Sequence, residues 1–160
     1  MAIDTFLKLG DLKGESQVKG FEDQIQLLSW SWGMKQTGTT HIGSGGGTGK
    51  VNVGDLHFEH YVDSATPGLI SSCCTGAHIP EATLTMRKAG GTPLDYYIIK
   101  LKDVVVSGVS SEGKEKLEQI KELVSLNFAS FEVSYQPQDA KGAKKGGAIM
   151  KKYDIAKNAA

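Results

Sequence analysis

The chain has 160 residues, and its 18 basic and 18 acidic side chains give a formal net charge of zero. A balanced charge creates no strong field, so neither nucleic acid nor an anionic membrane is expected as a partner. No run reaches the roughly 18 apolar residues of a membrane helix, so membrane insertion is not expected. The length predicts one domain over residues 1–160, large enough to bury about two thirds of its unfolded surface.

The N-terminus and the cysteines indicate where the chain folds. Residues 1–4 lack the basic region and apolar core of a cleavable secretory signal. Cys73 and Cys74 are adjacent and cannot form a disulfide framework, which favours folding in a reducing cytoplasm. If the protein leaves the cell, we expect a route that uses no cleavable signal.

The N-terminal half of the chain predicts strands at residues 3–9, 21–32 and 51–62. In the second of these, Leu28, Trp30 and Trp32 share one face, which we expect to be core. Ser29 and Ser31 lie on the opposite face, which we expect to be solvated although it lacks long charged side chains.

A glycine-rich stretch at residues 37–50 predicts an extended contact loop. It contains Gly49-Lys50 but does not match a phosphate-binding P-loop, because positions 44 and 51 are Ser and Val. The following segment has a strand pattern, so no helix N-terminus is offered to a phosphate. A nucleotide site is therefore not expected.

One short helix is predicted after the third strand. Thr66 is the expected N-cap, Pro67 the first helical residue, and Gly76 the end of the helix. The residues at helical spacing are Leu69, Ile70, Cys73 and Cys74. The cysteine pair is expected to be buried as small apolar side chains.

A hairpin at residues 82–106 is the centre of the predicted fold. Ala82, Leu84 and Met86 share one face of its first strand, and a Gly-Gly-Thr-Pro turn at 90–93 follows. The returning strand is apolar on both sides, with Tyr97, Ile99 and Leu101 on one side, Tyr96 and Ile98 on the other, and the run Val104-Val105-Val106 beyond them. We therefore expect the second face to be covered, by a helix of this chain or by another subunit.

The C-terminal third has an ambiguous beginning. Leu117, Ile120 and Val124 recur at spacings of three and four among charged residues, which favours an amphipathic helix within 112–126. Strand alternation starts at Leu126, and a last strand is predicted at 149–155 after a polar loop at 139–147. The whole pattern is mainly β and predicts a barrel or a sandwich.

No arrangement of residues indicates catalysis, a cofactor or a metal. The four histidines have no metal-ligand spacing; they are His41, His57, His60 and His78. The carboxylates of Asp55, Glu59 and Asp63 are explained as solvated strand ends, and the cysteine pair has no evident base. We expect no enzyme.

Several short segments, taken together and in order, resemble the haemolysin-coregulated protein (Hcp) family of bacterial type VI secretion. They are DTFLK at 4–8, KGES at 13–16, LSWSWG at 28–33, GKVN at 49–52, DL at 55–56, YVD at 61–63, TG at 75–76, RKAGG at 87–91 and LNF at 126–128. Each segment is weak alone, but their order along the whole chain is specific. Residues 113–122 depart from the family by being more charged and more helix-like.

The resemblance implies a two-sheet β-barrel with one short flanking α-helix, six copies of which form a ring around a wide channel. Rings would stack into a tube inside a contractile sheath and beneath a spike, and the expelled tube would carry small effectors. The protein would reside in the bacterial cytoplasm before firing and then be secreted without a cleavable signal peptide. In a cyclic ring each subunit presents different patches to its two neighbours, which would explain a strand that is apolar on both faces.

These expectations assign candidate roles to particular residues. Lumen or cargo candidates are Ser29 and Ser31; ring–ring contact candidates are His41, Gly45, Gly46 and Gly91; subunit-interface candidates are Tyr96 and Ile98. Two alternatives stay open: a tail-tube protein of a phage or another contractile machine, and an enzyme or fused effector. The chain ends at Ala160, soon after the last predicted strand, so an appended catalytic domain is not expected. The sequence does not specify which effectors are carried or which cells are targeted.

Overall fold

A computed structural model describes residues 2–37 and 49–160. Within these ranges the chain is mainly β with a single helix, as the sequence predicts. In chain order the elements are β1 (Ile3–Leu9), β2 (Ile25–Leu27), β3 (Ser29–Ser31), β4 (Met34–Lys35), β5 (Asn52–Val53), β6 (Leu56–Tyr61), α1 (Thr66–Thr75), β7 (His78–Lys88), β8 (Leu94–Glu112), β9 (Lys121–Tyr135) and β10 (Ile149–Asp154).

The strands form a nearly closed antiparallel barrel. Their order is β2-β1-β7-β8-β9-β6-β3, with β10 added beside β9 and a separate small ribbon of β4 and β5. Only Leu28 separates β2 from β3, so one short segment pairs with β1 at one edge of the sheet and with β6 at the other. The backbone N–H of Leu28 also donates to the carbonyl of Glu59 at 2.8 Å. This segment therefore brings the two edges of the sheet together.

The two longest strands divide the outside of the barrel into two faces. β8 has 19 residues and β9 has 15, and they pair along almost their whole lengths. One end of this ladder pairs with β7 and β10, and the other end pairs with β6. Ser107 is an extra residue in β8, between partners of Leu126 and Ser125, and such bulges bend and twist a strand. This geometry gives the predicted two-sheet barrel.

The barrel interior is filled by alternating apolar side chains. The predicted face of Ala82, Leu84 and Met86 is confirmed, since all three are almost completely buried. On β8, Ile99 and Leu101 are buried opposite them. Removing an aliphatic side chain of this size from water contributes about 1.5–3 kcal/mol. These contacts between neighbouring strands form the main core.

The valine run of β8 has a different explanation from the one expected. Asp103 has a positive φ of 52° and shifts the alternation by one residue. Val104 and Val106 consequently point inward and are buried, whereas Val105 is only half-buried. The shift at Asp103 therefore places the first and last valines of the run in the core, and Val105 on the other face is itself partly covered.

Part of the outer surface is covered by the chain itself. Phe6 points away from the main core and stacks on Phe21, with ring centroids 4.4 Å apart. The guanidinium of Arg87 lies 4.4 Å from the centre of the Phe21 ring, and its Nε donates to Asp95 Oδ1 at 2.7 Å. The segment between β1 and β2 thus protects an apolar residue that would otherwise face solvent.

The predicted continuous strand at 21–32 is only partly confirmed, because strand structure covers only Ile25–Leu27 and Ser29–Ser31. Leu28 was assigned to the core with Trp30, but its side chain is 44% exposed and the strand bends there. Ile25 and Leu27 point inward before the bend, and Trp30 points inward after it. The alternation shifts because the chain leaves the β1 edge at this point and joins β6.

The amphipathic helix expected within 112–126 is absent; β8 continues to Glu112 and β9 begins at Lys121. Leu117 and Ile120 lie in the connection and are 54% and 46% exposed. Val124 is fully buried, as the helix prediction also required, but it lies on strand β9. A short isolated helix is marginal in water, whereas pairing β9 with both β8 and β6 satisfies its backbone. The final strand at 149–154 is confirmed.

Helix α1 packs against β8 and follows its prediction with two corrections. Its N-cap is Ala65, so Thr66 is the first helical residue rather than the cap. Gly76 ends the helix in the left-handed conformation, as expected. Cys74 is exposed and Cys73 is half-buried, so the pair is not a buried apolar unit. Only the side of the helix that carries Leu69 reaches the core.

Candidate assembly surfaces and a buried polar cluster

One outer face of the barrel is covered mainly by small polar side chains. Ser29 and Ser31 are both exposed on β3, which confirms the expected solvated face. Strand pairing places further residues beside them, because directly opposed residues in an antiparallel pair share a face. We call this surface the serine face; it comprises Ser29, Ser31, His57, Glu59, Ser110, Leu123 and Ser125.

The larger side chains of the serine face are few. Glu59 lies 3.8 Å from the ammonium of Lys121, so its charge has a neighbouring cation. Leu123 is 49% exposed and is the main apolar side chain in this group. Four of the seven side chains on this face are serines and the other three are His57, Glu59 and Leu123, so the surface is mostly small and polar.

The reverse side of β3 is anchored in an aromatic cluster. Trp32 meets Phe131 edge to face, with ring centroids 4.9 Å apart, and Trp30 lies 6.2 Å from Tyr97. The indole N–H of Trp32 donates to the carbonyl of Gly54 at 3.0 Å. Aromatic packing of this kind holds the short strand in place, so the serines are presented on a rigid support.

A hydrogen-bond network stands beside the serine face. The carboxylate of Asp55 accepts from Ser107 Oγ at 2.7 Å and from Asn127 Nδ2 at 2.8 Å. Ser107 Oγ also lies 2.9 Å from Ser125 Oγ. Asp55 is thus a structural acceptor and not merely a solvated strand end. Sequence reasoning missed it because its partners are 52 and 72 positions away.

The opposite outer face carries mainly long charged side chains. We call it the lysine face; it comprises Lys8, Ile98, Lys100, Glu132 and Lys152. Ile98 is half-buried between Thr85 and Ser134 on the neighbouring strands. Tyr96 is the unpaired residue at a register shift, and the ammonium of Lys88 lies 5.6 Å from its ring. Tyr96 is therefore partly covered by its own chain, whereas Ile98 presents an apolar surface among charges.

The predicted ring–ring contacts fall in two places. His41, Gly45 and Gly46 lie outside the described residues. Gly91 is exposed in the connection from β7 to β8, where an added Cβ would meet no other atom within 4 Å. It lines a cleft of about 480 Å³ with the lysine-bearing loop at 141–144.

A buried polar cluster lies between β6, β9 and the start of α1. His60 and Glu122 are 0% and 1% exposed, and His60 Nε2 lies 2.9 Å from Glu122 Oε1. The same oxygen is 3.5 Å from Thr66 Oγ1, and Asp63 Oδ2 is 3.6 Å from the second ring nitrogen of His60. Burial lowers the pKa of His60, but the hydrogen bonds and charges of Asp63 and Glu122 outweigh this effect and leave that pKa raised.

This cluster was the main polar feature that sequence reasoning missed. Strand alternation places His60 on the same side as Phe58, which was a signal that the imidazole is buried and needs a partner. The partner was hidden because Glu122 lies in the segment expected to be helical.

Across residues 2–37 and 49–160, no group of three or more His, Cys, Asp or Glu side chains is arranged so that it could hold a metal ion. Within the same ranges, no helix is long and apolar enough to cross a membrane.

Comparison with known proteins identifies the class of this barrel. A family profile described as "Type VI secretion system effector, Hcp" matches residues 6–135. The chain is 51% identical to the protein hcp1 of Pseudomonas aeruginosa over 159 residues, covering 99% of this chain and 98% of that one. The barrel is thus that of a type VI secretion protein. The chain belongs to the Hcp family, as the ordered segments predicted.

Solved structures agree with this assignment. The crystal structure of Hcp1 from Salmonella typhimurium is similar, with a TM-score of 0.82 and 38% identity over 99% of both chains. A type VI secretion system effector from Yersinia pestis has a TM-score of 0.77 and 31% identity, over 94% of this chain and 98% of that one. The matching profile and these relatives place the chain among type VI secretion proteins.

Proposed function

We propose that this protein is the inner-tube subunit of a type VI secretion system. Six copies close into a ring, and rings stack into a tube within a contractile sheath and beneath a spike complex. Firing expels the tube, which carries or chaperones small effector proteins in its lumen. The subunit acts by assembly alone, without catalysis or a cofactor.

The serine face is the observation that supports this proposal most directly. A channel wall must be rigid and wettable, and small hydroxyl side chains leave room for passengers of varied charge. Ser29 and Ser31 are exposed, and the same face continues through β6, β9 and β8. We assign this face to the lumen.

The location and partners of the protein follow from the same proposal. The subunit resides in the bacterial cytoplasm before firing and leaves with the tube, so it needs no cleavable signal peptide. Its formal net charge of zero agrees with protein partners, namely other subunits, sheath, spike and effectors. Nucleic acid and membrane insertion play no part.

The ring is tested by native mass and by a change at the lysine face. A ring needs two different patches on each subunit, and Ile98 is the half-buried apolar residue of one candidate patch. The wild-type protein should give a particle near six times 17.1 kDa by native mass spectrometry. Ile98→Asp should shift it towards the monomer, because a charge would be desolvated at the contact.

The matched control is Ile70→Asp, which introduces the same change at an exposed isoleucine on α1. It should leave the ring intact. A wild-type protein that stays monomeric over a wide concentration range would contradict the ring. A hexamer that tolerates Ile98→Asp as well as Ile70→Asp would remove Ile98 from the interface, and Tyr96→Asp tests the second candidate in the same way.

The lumen is tested with Ser31→Gln. The longer side chain should leave the ring intact and lower the amount of effector that co-purifies with it, because it narrows the proposed channel. Lys35→Gln introduces glutamine at an exposed position on β4, which belongs to the separate β4–β5 ribbon, and serves as the control. Equal retention of effector by both variants would show that the serine face does not line the lumen.

Stacking is tested at the two ring–ring candidates. Deleting residues 43–47 removes Gly45 and Gly46 from the glycine-rich stretch that also contains His41, and should preserve rings but prevent tubes. Gly91→Tyr starts from a position where an added Cβ meets no other atom within 4 Å, so the ring should be accommodated in the neighbouring cleft. It should therefore also reduce stacking without changing the native mass. Normal tubes seen by electron microscopy in both variants would exclude these contacts.

A further inference from the structure

The buried cluster around His60 joins three parts of the subunit that are separate in the chain. His60 is the penultimate residue of β6, Glu122 pairs with it on β9, and Thr66 begins α1. Asp63 lies in the turn between β6 and α1, where its carboxylate accepts from the N–H of Ala65 at 2.9 Å. The imidazole is therefore the central contact between the sheet and the start of the helix.

The hydrogen-bond inventory of the cluster depends on the protonation of His60. Nε2 has Glu122 Oε1 as its partner at 2.9 Å, whereas the buried Nδ1 has no hydrogen-bond partner among the described residues. A neutral imidazole carries one N–H and an imidazolium carries two. Only the protonated ring carries an N–H on both nitrogens. It can then donate from Nε2 to Glu122 and direct the N–H of Nδ1 towards Asp63, whose Oδ2 is 3.6 Å away.

Two carboxylates, from two different elements, are the charged groups that face His60. β9 contributes Glu122 and the turn before α1 contributes Asp63; α1 itself contributes only the hydroxyl of Thr66. On β8, the residue in register with Glu122 is Ser111, which does not titrate. The nearby charges of Glu59, Glu112, Lys114 and Lys121 are paired with one another at the surface. Among residues 2–37 and 49–160, protonated His60 is therefore the cation placed beside buried Glu122.

We propose that His60 is a pH-sensitive lock, in which its protonated form holds the β6–α1 turn against β9 and its neutral form releases this end of the barrel. Loss of the proton leaves two carboxylates around an uncharged ring, one of them almost fully buried. Burial of an unbalanced carboxylate is costly, so water has to enter and the turn has to loosen. This lock is a property of the subunit and does not depend on the proposed tube function.

The direction of the pH effect follows from the cluster. The pKa of His60 is raised above its ordinary value of 6.5 in the folded protein. Its stabilising contribution is therefore complete below 6.5 and is lost as the pH rises through the folded-state value. The lock is closed in mildly acidic solution and opens towards alkaline pH.

Opening changes a surface as well as the interior. The N–H of Val62 donates to the carbonyl of Ile120 at 2.8 Å, directly beyond the cluster. Val62, Leu28 and Tyr61 are exposed and line a cleft of about 460 Å³ at this end of the barrel. Release of the turn would alter this apolar surface, so the protonation of His60 would set its shape.

The test is amide hydrogen exchange of the full-length protein between pH 6 and pH 9, corrected for the intrinsic pH dependence of exchange. In the wild type, the amides of Val62 and Leu69 should lose protection by about tenfold for each unit by which the pKa of His60 is raised. His60→Lys should abolish this pH dependence, because the ordinary pKa of lysine, about 10.4, lies above this range and the two carboxylates favour its charged form. His78→Asn removes an exposed histidine instead and should behave like the wild type.

The outcomes separate the lock from a purely structural role. A pH-independent protection of Val62 and Leu69 in the wild type would overturn the proposal, and so would an unchanged pH dependence in His60→Lys. Direct titration of the His60 ring by nuclear magnetic resonance gives a second readout on the unmodified protein. A midpoint below 6.5 would also overturn it, and this holds even if a variant fails to fold.

Discussion

The strength of the buried His60–Glu122 contact can be measured with a double-mutant cycle. Both side chains are essentially inaccessible to solvent, and their nearest atoms are 2.9 Å apart. At an effective dielectric constant of about 20, unit charges at this separation interact by about 5–6 kcal/mol. Replacing Glu122 alone with Leu leaves His60 buried without its acceptor and should lower the free energy of unfolding by about 3–5 kcal/mol.

The double variant His60→Leu/Glu122→Leu should recover much of this loss, because apolar side chains of suitable volume can replace a buried ion pair. Urea denaturation at fixed protein concentration and pH 6 gives the free energy of unfolding of the wild type, both single variants and the double variant. Glu59→Leu is the matched control, since Glu59 has a cation 3.8 Å away but is much more exposed; its loss should stay below about 1 kcal/mol. A double variant whose loss equals the sum of the single losses would show that the two residues are not coupled.

Three further predictions concern the rest of the barrel. Phe21→Ala uncovers Phe6 and should lower the free energy of unfolding by about 3–5 kcal/mol in a urea titration; an unchanged midpoint would mean that the stack contributes nothing. Asp103→Val places a β-branched residue at φ 52° and should cost about 1–2 kcal/mol by thermal denaturation, whereas Asp103→Gly should not; equal melting temperatures would argue against the strained position. Trp32→Phe removes the hydrogen bond to Gly54 and should cost about 0.5–1.5 kcal/mol, and a loss above twice that range would indicate that packing rather than the hydrogen bond is affected.

Local patterns predicted those parts of the fold whose structure depends on near neighbours. The alternation of Ala82, Leu84 and Met86 identified a buried strand face because successive strand residues point to opposite sides. Gly76 identified the end of α1 because glycine adopts the left-handed conformation at little cost. The exposed position of Ser29 and Ser31 also followed from alternation alone. The family likewise followed from ordered segments, and the fold class came with it.

Tertiary structure decided the features that depend on distant partners. The alternation shifts at Leu28 and Asp103 because the sheet closes and bends there, which no local pattern records. The apparent helix at 112–126 became a strand because two neighbouring strands offered β9 more hydrogen bonds and a place for Val124. The same register brought Glu122 beside His60, 62 positions away, and so turned an unremarked histidine into the buried centre of this end of the barrel. Spacing along the chain can specify which side of a strand is apolar, but only pairing between strands decides which charges meet in the interior.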